Sequence, residues 1–184
     1  MKKLAFAIAV VSVAASICPL PTFAISEELK GSISTNCSSI KFRLEKVQKD
    51  DSRNRVHLGA QYESIATNLM MNLNLRLVKN NLANAKLAEQ QTTFISERNR
   101  FKNDFIGYSQ ELDALIDMDC RNEPEKFYEQ LQLVRTKRAD VEKSIKRMDE
   151  ILTKHRESIL DFRKGLKKWA KREILDTAVA IWLS

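Results

Sequence analysis

Six of the ten residues at positions 163–172 carry a positive charge, and this cluster is the part of the sequence best suited to bind a ligand. A leucine and a tryptophan lie among the cations at helical spacing, so a helix here would have one apolar face and one cationic face. Such a helix can bind anionic lipid headgroups or acidic polymers, although cations also suit the C-terminal end of any helix. The candidate binding residues are Arg163, Lys164, Lys167, Lys168, Trp169, Lys171 and Arg172.

The other residue types that support catalysis or metal binding form no recognised pattern. His57 and His155 are isolated, without the spacing of a zinc site, and each of the four glycines stands alone, so the sequence has no phosphate-binding loop. A Gly-x-Ser-x-Gly nucleophile motif is also missing. We therefore expect a protein that is not an enzyme and that has no catalytic residue, metal, cofactor or small-molecule substrate.

Residues 1–24 have the layout of a secretory signal peptide. Lys2 and Lys3 precede an apolar run at 4–17, and small residues stand before a cleavage site after Ala24. Two alternatives stay open: a membrane anchor, which needs roughly 20 apolar residues, and a lipoprotein modified at Cys18. The sequence thus predicts secretion across the cytoplasmic membrane, to a periplasmic, cell-surface or extracellular location.

Cleavage after Ala24 leaves 160 residues with two cysteines, Cys37 and Cys120, and lowers the net charge from +7 to +5. Compartments outside the cytoplasm are oxidising, so the two cysteines are predicted to form a disulfide. Free thiols and a bond between two chains remain alternatives. The modest net charge on an exported chain argues against a nucleic-acid partner.

The composition predicts one all-α domain made of long helices. The 184 residues include only 4 glycines and 3 prolines, too few for the frequent turns of an all-β fold. Apolar residues recur with the alternating spacing of four and three that is typical of coiled coils over 84–115 and 127–169, and less regularly over 40–77. The first of these ladders contains Ile40, Leu44, Val47, Asp51, Asn54, Leu58, Tyr62, Ile65, Leu69, Leu73 and Leu77.

The first two ladders could belong to one helix or to two. A single helix of about 80 residues would separate the cysteines by roughly 120 Å, whereas a disulfide needs Cα atoms within about 7 Å. A reversal midway between them falls beside Asn80 and Asn81, and asparagine tolerates the left-handed conformation that ends helices. We therefore expect a three-helix antiparallel bundle, and the alternative is a two-helix hairpin with one helix of about 80 residues.

The predicted helices cover about 38–78, 82–118 and 123–172, within a bundle domain at 25–172. Candidate N-caps for the first helix are Ser34, Thr35 and Asn36, and Pro124 suits the first turn of the third. Residues 173–184 form an apolar C-terminal tail, too short to span a bilayer, which we expect to dock on the bundle or on a membrane surface.

Two classes of function fit these features, and we assign the sequence to no family. The first is a non-enzymatic structural or interaction module of the cell envelope. Its partners would be another protein or a second copy, bound through helix faces, with an anionic lipid or envelope polymer as a further partner. The alternative is a periplasmic chaperone or a regulator of envelope enzymes.

Overall fold

The computed structural model describes the backbone of residues 25–182 and the side chains of residues 25–168. Four α-helices occupy Glu27–Ser64 (α1), Asn72–Lys79 (α2), Ala85–Asp117 (α3) and Pro124–Trp182 (α4), and a π-helical segment at Ile65–Met71 joins α1 to α2. We call the uninterrupted run over 27–79 the first rod. The predicted signal peptide, with its cleavage site after Ala24 and the alternative lipid site Cys18, lies outside the described residues.

The chain reverses direction at 80–84, and the three-helix layout is thereby confirmed. Asn81 is in the left-handed conformation, with φ of 56°. The backbone N–H of Leu82 donates to the Leu77 carbonyl at 2.8 Å, and that of Asn81 donates to the Val78 carbonyl at 3.1 Å. This is the Schellman arrangement, which satisfies the last carbonyls of a helix. The long single helix of the alternative layout is not the one observed.

The first helix begins 11 residues earlier than the sequence predicted, at Glu27 rather than near residue 38. Ser26 is the N-cap, because its side chain accepts a hydrogen bond from the Leu29 N–H at 3.3 Å. The predicted caps lie inside the helix, where Asn36 donates to the Ser32 carbonyl and Ser34 donates to the Arg121 carbonyl. These residue types are common at helix N-termini, but here their side chains bond to carbonyl groups, so they do not mark the start of the helix.

The third predicted helix is also longer than expected, because α4 continues to Trp182 instead of ending near 172. The apolar tail at 173–184 was predicted as a separate element, but its backbone is helical as far as Trp182. The side chains of this tail lie beyond the part of the chain that is described. At 1.5 Å per residue, the 59 residues of α4 span about 90 Å.

The core lies mainly between α3 and α4, which pack against each other in antiparallel orientation. Aromatic rings fill its centre. Tyr62 meets Phe94 and Phe101 edge-on, with centroid distances of 6.0 and 5.7 Å, and Phe105 meets Tyr108 in the same way at 5.7 Å. The largest fully buried side chains include Phe94, Met70, Leu87, Leu112, Leu115, Phe127 and Met148.

The first rod packs less deeply than the other two helices. Between Cys37 and Tyr62 no side chain is fully buried, and the ladder residues there are at most half-buried. Ile40, Leu44 and Leu58 pack against the core while half-buried, and polar contacts add to this packing. Asp51 accepts hydrogen bonds from the Tyr108 hydroxyl at 2.7 Å and from the Arg138 guanidinium at 3.3 Å. The middle of the first rod is therefore attached by polar contacts and by half-buried apolar residues, whereas its fully buried residues lie toward its ends.

The two cysteines meet where α1 passes the turn between α3 and α4. Cys37 and Cys120 form a disulfide with Cα atoms 5.5 Å apart, and both residues are buried. Lys30 forms an ion pair with Glu125 nearby. At this end of the bundle the disulfide links α1 to the turn between α3 and α4. At the opposite end the reversal at 80–84 links the first rod to α3.

The π-helical segment changes which residues of the first rod face the core. The sequence predicted Ile65, Leu69 and Leu73 at core positions, but Leu69 is 63% exposed, while Ala66 and Met70 are buried. A π-helical turn holds one more residue than an α-helical turn, so the inward face moves by one position. Asn74 then faces α3, where its side-chain amide donates to Gln91 at 2.6 Å.

Candidate functional site

An open apolar groove lies between the first rod and α4, close to the reversal. The first rod packs on α3 here, and a space of about 500 Å³ remains beside α4. The apolar walls of this groove, which we call the reversal groove, are formed by Ile65, Leu69, Leu73, Leu152, Ile159 and Leu160. Leu160 is 40% exposed and Leu69 is 63% exposed, so solvent reaches the walls.

The deep side of the reversal groove contains Met70 and His155, both buried. The Nδ1 atom of His155 lies 3.2 Å from the Gln90 side-chain oxygen, and the Gln90 amide donates to the Ser158 hydroxyl at 3.0 Å. Burial lowers the pKa of His155, because the charged imidazolium would lose its hydration. The uncharged imidazole is therefore the form that this site favours, with the Nδ1 proton donated to Gln90.

Cations and amides, rather than carboxylates, surround the groove. Arg76 and Arg156 line it together with Asn68 and Asn72, and none of the described residues that line it is acidic. The chain between Glu63 and Glu89 contains three cations and no carboxylate. The reversal groove is therefore apolar inside and positively charged at its rim.

The predicted binding cluster at 163–172 lies on the part of α4 that extends past the reversal. Gln90 contacts Ser158, so the start of α3 at Ala85 is level with about residue 162, and α4 continues for roughly 30 Å beyond it. The cations Arg163, Lys164, Lys167 and Lys168 are all exposed there. Lys164 forms an ion pair with Asp161 at 3.1 Å.

On the apolar side of this extension, Phe162 and Leu166 are half-buried. The side chains of Trp169, Lys171 and Arg172, which complete the predicted cluster, lie outside the described residues. The structure thus places four of the seven predicted binding residues on one exposed helical segment. We call this segment, together with the reversal at 80–84 and the cations Arg76, Lys79 and Lys86, the basic end of the bundle.

A smaller cavity of about 150 Å³ lies midway along the bundle, beside Tyr108 and Asp51. Burial and a hydrogen bond to Asp51 raise the pKa of the Tyr108 hydroxyl, so it stays protonated. Arg55 lies over the Phe105 ring at 5.3 Å from its centroid. These contacts connect α1 to α3 and α4 around the cavity.

The described part of the chain has neither a metal-binding cluster nor a membrane-spanning helix. No cluster of three or more His, Cys, Asp or Glu side chains in residues 25–168 is arranged to hold a metal ion. No helix described here combines the length and apolarity that crossing a bilayer requires.

Comparisons with known proteins found no matching family model, no matching curated protein and no matching solved structure.

The reversal groove is the feature that the sequence did not predict. The first ladder, with steps of four between Ile65, Leu69 and Leu73, assigned Leu69 and Leu73 to the core, which leaves no apolar wall for a groove. The signal that could have found it is the run Leu69-Met70-Met71, because three consecutive large apolar residues cannot all face one side of a helix.

Proposed function

We propose that this protein is an exported, non-enzymatic interaction module of the cell envelope, and that its basic end binds an anionic lipid or envelope polymer. The observation that carries the proposal is the gathering of exposed cations at one end of the bundle. Seven basic side chains of the basic end lie within the described residues: Arg76, Lys79, Lys86, Arg163, Lys164, Lys167 and Lys168.

Exposed apolar side chains beside these cations also support the proposal. Leu75 and Val78 are 60% and 62% exposed, and Leu82 is 37% exposed at the reversal itself. A surface that combines cations with apolar groups suits the interface of an anionic membrane, where headgroups attract the charge and the acyl boundary accepts the leucines. Each cation near such a surface contributes about 1 kcal/mol at most.

The cysteine pairing is consistent with export. A disulfide between Cys37 and Cys120 closes the end opposite to the basic end, and such bonds persist in oxidising compartments outside the cytoplasm. The predicted signal peptide at 1–24 would direct the chain across the cytoplasmic membrane.

Co-sedimentation with vesicles tests the proposal. We expect the mature protein to pellet with vesicles of phosphatidylglycerol and phosphatidylcholine and to release when salt shortens the Debye length below about 8 Å. Replacing Lys164, Lys167, Lys168 and Lys171 by Gln should lower the pelleted fraction severalfold without changing helicity or thermal stability, because the cations of this set that are described are exposed.

The matched control removes the same charge from a different part of the bundle. Lys46, Lys49, Lys143 and Lys146 are also exposed, and their replacement by Gln should leave pelleting nearly unchanged. Equal pelleting of both variants would contradict the proposal, and so would a wild-type protein that never binds anionic vesicles.

A further inference from the structure

The reversal groove has the position that a fourth helix would take in a helical bundle. The first rod and α4 run parallel to each other, as the pairs Lys30–Glu125 and Asp51–Arg138 show, and both are antiparallel to α3. Beside the reversal, the first rod presents Ile65, Leu69 and Leu73 at intervals of four residues. Such a row forms a ridge, and the space between two neighbouring ridges accepts the side chains of another helix.

We propose that the reversal groove binds an amphipathic helix of another protein, one with apolar residues on the inserted face and acidic residues along its flanks. In this mode of recognition, side chains at i, i+3 or i+4, and i+7 enter a preformed apolar groove. Here they would contact Leu69 and Leu73 on one wall and Leu152 and Ile159 on the other.

The charge of the groove determines the charge of the partner. Arg76 and Arg156 line the rim, and no carboxylate lies among the described lining residues. A helix with glutamate or aspartate on its flanks would bring opposite charges together, whereas a basic helix would be repelled. The two guanidiniums can also bind carboxylates through paired hydrogen bonds.

The positive charge of the rim also disfavours a second copy of this chain as the occupant. A second copy offers the extension of α4, which continues past the start of α3 and on which Arg163, Lys164, Lys167 and Lys168 are exposed. Those four cations would meet Arg76 and Arg156 at the rim, and like charges across an interface oppose association. A partner with acidic flanks avoids this repulsion.

This inference does not rest on the proposed binding to an anionic envelope surface, because the lysine variant and Leu69→Gln alter different residues, although Arg76 belongs both to the basic end and to the rim of the groove. The surface site depends on lysines of the α4 extension, none of which lines the groove. The groove site depends on Leu69 and on the two arginines at the rim. The lysine variant of the α4 extension and Leu69→Gln therefore each report on one proposal without deciding the other.

Binding of a synthetic peptide tests the inference. The probe is a fluorescein-labelled, helix-favouring peptide of about 20 residues, with leucine at the inserted positions and glutamate on the flanks. The control peptide keeps the leucines and has lysine in place of every glutamate. We expect the acidic peptide to bind the full mature protein in fluorescence anisotropy, and the basic peptide to bind at least about 10-fold more weakly.

Two exposed leucines of the first rod form a matched pair for mutagenesis. Leu69 lines the groove and is 63% exposed, while Leu75 is 60% exposed and does not line it. Leu69→Gln should raise the Kd for the acidic peptide about 10-fold, because a leucine buried by the partner is replaced by a polar group. Leu75→Gln should change the Kd less than about 2-fold, and neither variant should alter stability appreciably.

The rim charges have a matched pair as well. Replacing Arg76 and Arg156 by Gln should weaken binding of the acidic peptide about 5-fold, whereas replacing the exposed Lys79 and Lys154, which do not line the groove, should weaken it far less.

Each contrary outcome overturns the inference. The acidic peptide could fail to bind, the two peptides could bind equally, or Leu69→Gln and Leu75→Gln could have equal effects. Self-association in sedimentation velocity that Leu69→Gln abolishes would identify a second copy as the occupant. Vesicle binding that Leu69→Gln reduces and Leu75→Gln does not would identify an acyl chain instead.

Discussion

Polar side chains at interior positions of this bundle have specific partners. Asp51 binds both Tyr108 and Arg138, and Ser144, fully buried, donates to Asp104 and accepts from Arg147. In the described side chains, no buried nitrogen or oxygen lacks a hydrogen-bond partner. Because an unpaired buried polar group costs about 1–3 kcal/mol, such contacts disfavour sliding of one helix along another. They fix the axial register of the three helices.

His155 makes the stability of the fold depend on pH. Burial lowers its pKa in the folded state below the unfolded value of 6.5, so the unfolded chain takes up the proton first on acidification. Stability from this group is complete above the unfolded pKa and is lost as the pH falls through the folded pKa. We expect the Tm of the wild-type protein to fall as the pH is lowered below about 6.5, the unfolded pKa.

The variant His155→Gln should lose part of that dependence in thermal unfolding followed by circular dichroism. His57 is exposed and provides the control, because His57→Gln should retain the wild-type dependence on pH. Identical curves for all three proteins would show that His155 contributes nothing to it.

At the scale of the element, the helices follow from the spacing of apolar residues, and the errors arise where spacing alone is ambiguous. Asn80 and Asn81 gave the position of the reversal because few other residues tolerate the left-handed conformation. Ser34 was ambiguous, since a hydroxyl group can cap a helix or bond to a neighbouring segment, as it does with the Arg121 carbonyl. The spacing of apolar residues did not predict the reversal groove, because the groove depends on a one-residue shift over 65–71 that only the run Leu69-Met70-Met71 indicates.

Deleting Asn68, an exposed residue of the π-helical segment, should be tolerated. In the shortened chain, Tyr62, Ala66, Met70, Asn74 and Leu77 would recur at intervals of four, three, four and three, the spacing of a continuous α-helix. The same inward residues would thus face α3 without the π-helical turn. We expect the Tm to change by only a few degrees, as for a loss of about 1 kcal/mol.

Deletion of Ser52 is the comparison. Ser52 is also exposed, but it lies in the regular α-helical part of the first rod, where no turn contains an extra residue. That deletion rotates one half of the first rod by about 100° relative to the other, and it should lower the Tm much more. Equal loss in the two deletions would contradict the assignment of the extra residue to 65–71.

For the whole molecule, the disulfide compensates for the shallow packing of the first rod. The bond joins residues separated by 83 positions, and closing a loop of that size restricts the unfolded chain by about 4–5 kcal/mol. The double variant Cys37→Ser, Cys120→Ser should lose stability of that order. Amide hydrogen exchange should accelerate most over 38–61, where no side chain is fully buried.

Reduction of the wild-type protein should reproduce the variant's exchange pattern, and α3 and the facing part of α4 should stay protected in both. Uniform acceleration along all three helices would mean that the molecule opens as one unit, and an unchanged pattern would mean that the bond does not hold the first rod.

The separation of charge along the bundle makes the molecule an electric dipole. The basic end carries most of the excess cations, while residues 111–129 around the other turn include seven carboxylates and two cations. A rod of about 90 Å with opposite charges at its ends experiences a torque near a charged plane. It would stand on an anionic surface with the disulfide pointing away, and the bundle would act as a spacer whose height is set by the length of α4.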